Sequence, residues 1–517
     1  MSIAQLALRV PPIAGYIETM PQTEAPEKAS VSNEPALGPE LTLDPQGWNE
    51  LRALGYRMLD DMFAYLEGLR TRPAWQPLSK AARQHFSGPA PIHPEDAEAV
   101  YRDFTENVLP YPMGLHPRFW AWVCGSGSVG GMLADLLAGA MNSSAHGSDN
   151  SPIYVELQVL GWLKQALGYP AEASGLLVGG GSMANFVGLA VARDAKAGWD
   201  VKKEGLAGRA PLTMYCSSET HSSVMKAVDL LGLGNQNLRR IPVDEQFRIR
   251  IDALQNAVAA DRKAGKIPVC VIGNAGTVNT GAIDDLAALA DFCQTKKLWF
   301  HVDGAFGATA AISPELAPLL NGMERADSLE FDLHKWMHMQ YDVGCALVRW
   351  PEKQHHTFDY EAQYLKAATR GLAGGPIAFS HYGLELSRGF RALKVWFCLK
   401  HYGLKKYQAL VEQNVAQAAY LGELVKKNSR LELLASVPLN IVCFRFVGKV
   451  DEARLNTLNE EVLLRLQESG IAAPSSTRIN GKFAIRVAIT NHRSRREDFD
   501  LLIREVVQLG EQVAREG

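Results

Sequence analysis

The chain has 517 residues, of which 47% are hydrophobic and 21% charged, and its formal net charge is -3. These values are typical of a globular enzyme with two or three domains. A charge so near zero gives no reason to expect nucleic acid or a membrane surface as a partner, and no apolar run approaches the length of a membrane span. Seven scattered cysteines without a CxxC pair, and an N-terminus without a signal-peptide layout, predict free thiols in the cytoplasm and no metal site.

The N-terminal region divides into two predicted segments. Residues 1–40, rich in Pro, Ala, Glu and Ser, predict a flexible arm, because they cannot bury enough apolar surface to offset the cost of ordering. Residues 41–115 predict a helical segment, in which Asp44 suits an N-cap and Pro45 the first helical position. An amphipathic helix this far from the main fold needs another surface to cover its apolar stripe.

Two further domains are expected after this segment. From Leu176 onward, short apolar strands alternate with helices, and this rhythm predicts a largely parallel sheet covered by helices. We assign this large domain to residues 116–385. Residues 386–517 contain two apolar strands, PLNIVCFRFVG and KFAIRVAIT, between helices, and they predict a smaller α+β domain.

Residues with complementary chemistry follow two of the predicted strands. Asp303 ends the apolar strand LWFHV, and Lys335 comes just after the strand SLEF, preceded by Asp332 and His334. Ligands in open α/β sheets bind at the carboxyl ends of strands, so we expect these side chains to meet in one crevice. A lysine amine there can form a Schiff base with pyridoxal phosphate (PLP), and an acid can keep the pyridine nitrogen protonated.

A glycine turn between a strand and a helix predicts an anion site. In LLVGGGSMANF the backbone N–H groups of Gly180, Gly181 and Ser182 would point at the anion, with the positive end of the helix behind them. The string lacks the lysine of a P-loop and the spacing of a dinucleotide fingerprint. It therefore favours neither a nucleoside triphosphate nor NAD.

The strings HVDGA, HKW, GGSMAN and HSSV together resemble the PLP-dependent group II amino-acid decarboxylases, which include aromatic-L-amino-acid and glutamate decarboxylases. The resemblance covers roughly residues 43–510, with the motifs in family order. It implies a fold-type-I PLP enzyme of the aspartate aminotransferase type, with a mostly parallel seven-stranded sheet, a C-terminal α+β domain and an N-terminal helical segment. The implied reaction is decarboxylation of a small-molecule L-amino acid to the amine and CO₂.

The resemblance also assigns roles to residues of the predicted crevice. Lys335 holds the cofactor, Asp303 pairs with its pyridine nitrogen, and His221 stacks on the ring. Gly181 and Ser182 hold its phosphate.

Further positions follow from the same resemblance. Ala305 packs on the opposite ring face, and Thr277, Asp332 and His334 complete the cofactor site. Tyr364, in QYLK, matches a loop tyrosine that reaches the partner's active site and donates a proton, so the resemblance implies a homodimer with shared sites.

Three positions depart from the family pattern. Val278 stands where a second threonine is usual, Gly304 where alanine follows the acid, and Leu333 where proline precedes HK. None of these changes removes the acid, the lysine or the glycine turn.

Three other functions fit parts of the pattern. A transaminase or lyase on the same fold would share Lys335 and Asp303, with Arg486 as an anchor for the substrate carboxylate. An aldehyde synthase would consume O₂ and release ammonia and peroxide. A catalytically silent scaffold would bind no cofactor.

The sequence does not identify the amino acid that serves as the substrate, although Trp120 and Trp122 favour one with a bulky side chain.

Overall fold

The structure is a computed structural model that describes residues 41–360 and 368–516. The predicted N-terminal arm lies outside these residues, and so does Tyr364. The described residues divide after Tyr56 into two compact units, and the sheets, cores and site described below belong to the second unit, which begins at Arg57. None of the described helices is long and apolar enough to cross a membrane.

The α-helices of the described chain are, in order, α1 (Trp48–Glu67), α2 (Lys80–His85), α3 (Ala97–Asp103), α4 (Val129–Met141), α5 (Ser151–Ala166), α6 (Gly181–Lys196), α7 (Val201–Glu204), α8 (Ser222–Leu230), α9 (Ile251–Lys263), α10 (Leu286–Lys296), α11 (Pro351–Phe358), α12 (Arg391–Tyr402), α13 (Leu404–Lys427), α14 (Glu452–Glu468) and α15 (Arg496–Glu516). The first helix begins at Trp48, later than an N-cap at Asp44 predicts. Gly47, a poor helix former, stands between them.

The strands are β1 (Phe119–Trp120), β2 (Ser174–Val178), β3 (Leu212–Ser217), β4 (Leu238–Ile241), β5 (Ile267–Asn274), β6 (Trp299–Asp303), β7 (Ser328–Asp332), β8 (Gly344–Val348), β9 (Leu431–Leu433), β10 (Ile441–Phe446), β11 (Ala473–Ile479) and β12 (Lys482–Ala488). They form two sheets.

The larger sheet confirms the predicted seven-stranded, mostly parallel architecture. Its order is β2-β8-β7-β6-β5-β3-β4, and β8 alone runs against both of its neighbours. Every residue of β6 and β7 is buried, as expected for parallel strands covered by helices on both faces. Helix α6 packs against β5, β6, β7 and β8. Its Gly188 permits this approach, because a Cβ there would lie 2.7 Å from the His301 ring.

The register of the central strands aligns three polar residues across the sheet. Asn274 at the end of β5 is opposite Asp303 at the end of β6, and Asp303 is opposite Glu330 in β7. These positions lie at or near the carboxyl ends of parallel strands, where ligand sites of open α/β sheets form. The row therefore places two acids side by side beneath one crevice.

The smaller sheet has the order β1-β11-β12-β10-β9, and its pairs are antiparallel except β1 with β11. Trp120 of β1 stacks on Phe499 with ring centroids 5.1 Å apart, and its indole N–H donates to Ser494 at 3.1 Å. Strand β1 thus belongs to the small sheet, although the predicted boundary places it in the large domain. Helix α12, beyond that boundary, packs on α4 and α5. The boundaries 116–385 and 386–517 stay a prediction.

Candidate active site

Lys335 lies in the turn that follows β7, beside an acid from the end of that strand. Its Nζ is 2.7 Å from Asp332 Oδ2. Burial disfavours the ammonium, but the charge of the Asp332 carboxylate and its hydrogen bond to the amine raise the pKa of Lys335. The amine is therefore held as an ammonium, with Asp332 as the adjacent proton acceptor.

Asp303 ends β6 with only 5% of its surface exposed. Its Oδ2 accepts a hydrogen bond from Asn185 Nδ2 at 3.2 Å, and its Oδ1 accepts one from the Ala305 N–H at 3.3 Å. Burial alone would raise the pKa of Asp303. The neighbouring side chain of Glu330 and the charge of Lys335 reverse that effect and lower it, so Asp303 is an ionised carboxylate.

A chain of hydrogen bonds leads to Asp303 from the interior of the sheet. Trp299 Nε1 donates to Ser328 Oγ at 2.8 Å, Ser328 Oγ lies 2.8 Å from His301 Nδ1, and His301 Nε2 lies 2.7 Å from Asn185 Oδ1. An indole N–H only donates and a carboxylate only accepts, so the direction of every bond is determined. Burial lowers the pKa of His301 to about 4, which keeps this imidazole neutral with its proton on Nε2.

His221 is the N-cap of α8 and joins the same network. Its Nδ1 accepts from the Ser223 N–H at 3.2 Å and lies 2.8 Å from Ser223 Oγ, which in turn accepts from Asn185 at 3.1 Å. These donors assign the neutral tautomer with the proton on Nε2. Desolvation lowers the pKa of His221, although the carboxylate of Asp303 opposes this effect. The residue is exposed.

The predicted anion site has the expected geometry at the start of α6. Gly180 precedes the helix with a φ of 115°, a conformation that favours glycine, and the first helical residues are Gly181 and Ser182. A Cβ on Gly181 would lie 2.7 Å from Asp332 Oδ2 and 2.9 Å from Glu330 Oε2. The helix start therefore sits directly against the two acids of β7.

These residues fit a PLP molecule. The crevice brings together a lysine amine, an ionised acid, a neutral imidazole and the start of a helix, whose first N–H groups have no partner within the helix. Among the described residues, the buried Asp332 Oδ1 has no hydrogen-bond partner, so a polar group remains to be satisfied there.

Of the other predicted site residues, Ala305 and His334 lie next to the acids of the crevice. Ala305 is half-buried, and its carbonyl accepts from the Asp332 N–H at 2.9 Å. His334 Nδ1 lies 3.0 Å from the Val343 carbonyl, and its ring centroid is 4.4 Å from that of Tyr341. Thr277 Oγ1 lies 3.1 Å from Thr280 Oγ1, in the loop after β5.

Four polar residues of the network are absent from the sequence-based prediction: Asn185, Ser223, His301 and Glu330. A partial signal was present for two of them. His301 is two residues before Asp303 and Glu330 two before Asp332, so each shares a strand face with a predicted site residue. A charged side chain within an apolar strand is itself unusual.

The residue suggested as a carboxylate anchor and the two tryptophans make other contacts. Arg486 is 3% exposed and donates to the carbonyls of Trp122 at 2.7 Å and Asn279 at 3.2 Å, so it holds backbone together between β12 and two loops. Burial lowers its pKa to about 10. Trp120 is in the core of the small sheet, and Trp122 is exposed.

One cluster of metal-ligating side chains occurs in the described part of the chain. His355, Asp359 and His381 place one ligand atom each within 4.8 Å of one another. The His355 and Asp359 side chains are 42% and 39% exposed, and both histidines face the single carboxylate. The arrangement is that of a surface imidazole–carboxylate cluster, away from the crevice.

A family model described as the pyridoxal-dependent decarboxylase conserved domain matches residues 80–447. The chain belongs to this family. This confirms the function predicted from the sequence. The protein is a PLP-dependent decarboxylase that acts on an amino acid, and it is therefore a carboxy-lyase.

The decarboxylase also resembles individual members of known activity. It is 34% identical over 471 residues to the aromatic-L-amino-acid decarboxylase of Bacillus atrophaeus, covering 90% of this chain and 96% of the relative. It is 32% identical to the enzyme of that name from Sus scrofa, covering 86% and 93%.

Two solved structures have the same fold. The TDC of Oryza sativa, solved with PLP and tryptamine, superposes with a TM-score of 0.85 at 26% identity, covering 91% of this chain and 99% of that one. The 4-hydroxyphenylacetaldehyde synthase of Rhodiola rosea superposes with a TM-score of 0.81 at 26% identity, covering 92% and 99%.

Proposed function

We propose that this enzyme decarboxylates an aromatic L-amino acid. The observation that carries the proposal is the 34% identity, over nine-tenths of the chain, to an aromatic-L-amino-acid decarboxylase. Tyrosine decarboxylase 4 of Petroselinum crispum, 30% identical over 468 residues, supports the same substrate class.

The residues of the crevice suit distinct tasks. Bound PLP supplies an electron sink for the electron pair left on the substrate Cα when CO₂ departs. Lys335 Nζ would hold the cofactor after giving its proton to Asp332, 2.7 Å away. Asp303, kept ionised by its donors, would hold a proton on the pyridine nitrogen.

The neutral ring of His221 would cover one face of the pyridine ring and Ala305 the other face, with Thr277 and His334 at its edge. The N–H groups of Gly181 and Ser182 would bind the phosphate.

Assembly and location are part of the proposal. The predicted role of Tyr364 requires a second copy of the chain, so the working form would be a homodimer with shared active sites. All seven cysteines carry free thiols, and this supports a reducing compartment such as the cytoplasm.

The experiment that tests the substrate class compares amino acids directly. The PLP-loaded enzyme is incubated with each of the common amino acids, and CO₂ and amine are measured together. Tryptophan, tyrosine or phenylalanine should give the highest kcat/KM. A preference for glutamate or an aliphatic amino acid would contradict the proposal.

An aldehyde synthase is the second candidate, because one structural neighbour has that activity in its name. The same incubation separates the two reactions when O₂ uptake and aldehyde are recorded. Amine equal to CO₂, without O₂ uptake, supports the decarboxylase. Aldehyde, ammonia and peroxide in equal amounts would support the synthase.

A further inference from the structure

Glu330 is a buried acid that has no assigned role in the reaction proposed above. It lies within β7, a strand whose five residues are all buried, and its own exposed fraction is 0%. Within the described residues neither of its carboxylate oxygens has a conventional hydrogen-bond donor. An ionised carboxylate in such a place would be strongly destabilising.

The surroundings of Glu330 contain more negative than positive groups. Asp303 is beside it on β6, Asp332 lies two residues further along β7, and Lys335 supplies the one nearby ammonium. On the antiparallel strand β8, Ala346 is opposite Glu330 and carries no charge, and the nearby Cys345 is a neutral thiol whose pKa is raised by burial. Helix α6 approaches Glu330 with the backbone of Gly181, where a Cβ would lie 2.9 Å from Glu330 Oε2. With every carboxyl group ionised, three negative charges would face one ammonium.

The pattern of partners shows which acid keeps a proton. Asp332 has Lys335 at 2.7 Å, and Asp303 has two N–H donors. Glu330 has neither a cation in contact nor a donor. Burial, followed by the charge of Asp303, raises the pKa of Glu330 well above its usual range.

We propose that Glu330 is a neutral carboxylic acid that donates its proton in a hydrogen bond to Asp303, and that it is a positioning residue for the cofactor acid. The proposal builds on the role assigned above to Asp303. A third donor stabilises the ionised form of Asp303 and makes it a weaker base, so a shared proton stays on the pyridine nitrogen.

Infrared spectroscopy tests the protonation state without any turnover. Wild type, Glu330→Gln and Glu330→Met are compared with and without PLP at about pH 8, where an ordinary glutamate is ionised. The wild-type minus Glu330→Gln difference spectrum should contain one protonated carboxyl band. A difference in the ionised carboxylate bands instead would overturn the proposal.

Cofactor affinity tests the hydrogen bond. Glutamine keeps an N–H donor, whereas methionine keeps the length of the side chain without one. PLP affinity should therefore be retained in Glu330→Gln and fall about 10- to 100-fold in Glu330→Met, the loss expected for one hydrogen bond to a charged group. Equal affinity of Glu330→Met and wild type would refute the positioning role. If Glu330→Met does not fold, the infrared comparison with Glu330→Gln still shows whether Glu330 carries a proton.

Asp303→Asn separates this proposal from the one on which it builds. If that variant binds PLP as tightly as wild type, the role of Asp303 is wrong. The infrared band of Glu330 then still reports its own protonation state.

Discussion

At the scale of single residues, Lys335 is distinguished by its neighbours from Lys394, a lysine that is buried in the described part of the chain. Its Nζ faces Asp332 within a crevice of polar groups, whereas Lys394 is 6% exposed and pairs with Asp135 at 3.0 Å between α12 and α4. Burial alone therefore does not mark the cofactor lysine.

Lys335→Ala should abolish the borohydride-reducible linkage to PLP, because the amine that forms it is gone. Lys394→Ala is the matched control and should retain the linkage, although it leaves Asp135 without its partner. Mass spectrometry of the reduced protein locates the modified lysine. Labelling of any residue other than Lys335 in the wild type would contradict the assignment.

Glu330 predicts an unusual pH dependence of stability. An acid with a raised folded-state pKa stabilises the fold below its unfolded pKa, and this contribution is lost as the pH rises towards the folded-state value. Glutamine does not titrate, so the Tm of Glu330→Gln should rise relative to the Tm of the wild type as the pH increases from about 4.3.

Thermal unfolding across this pH range measures the difference. Glu95→Gln, a change at an exposed acid, provides the control and should show a nearly constant difference from the wild type. A constant difference for Glu330→Gln as well would mean that Glu330 is ionised in the folded protein.

At the scale of elements, the start of α6 makes a tightly constrained contact with the site. Gly181 lies against the carboxylates of Asp332 and Glu330, while Gly161, within α5, has no atom within 4 Å of an added Cβ. Both glycines lie within helices, so the effects of replacing them with alanine should differ mainly because the new methyl group contacts different atoms.

Gly181→Ala should therefore lower stability by about 1–3 kcal/mol, the usual cost of overpacking. It should also weaken PLP binding, because the displaced carboxylates and the helix start both belong to the site. Gly161→Ala should be neutral or raise stability by up to about 1 kcal/mol. Tm and cofactor titrations of both variants check this, and equal effects would show that α6 has room to shift.

At the scale of the whole molecule, the proposed homodimer makes a prediction about Tyr364, a residue outside the described range. A general acid contributes about 10²–10⁴-fold, so Tyr364→Phe should make amine that much more slowly and gain aldehyde and O₂ uptake. Tyr341→Phe is the control, because this phenol also lies near the crevice, beside His334. A larger loss of amine in Tyr341→Phe would transfer the role to Tyr341.

Mixed dimers test whether Tyr364 serves the neighbouring site. Neither Lys335→Ala nor Tyr364→Phe dimers should form amine at an appreciable rate, the first because the cofactor lysine is missing and the second because the proton donor is missing. A hybrid has one site with both groups if the tyrosine crosses between subunits, so random mixing should restore about a quarter of wild-type activity. No recovery in confirmed hybrids would place Tyr364 in the site of its own chain.

The sequence by itself determined the fold class and predicted the residues of the candidate site. Alternating strands and helices predict the parallel sheet, and Asp303, Lys335 and the glycine turn follow from local strings at strand ends, where position along the chain also sets position in the sheet.

Only the tertiary structure decided what surrounds these residues. The pairing of Asp303 with Glu330, the hydrogen-bond chain from Trp299 and the place of Trp120 in the small sheet depend on which distant segments lie side by side. The protonation of Glu330 depends on them as well. Burial and neighbouring charge determine a pKa, and both arise only when strands far apart in sequence are brought together.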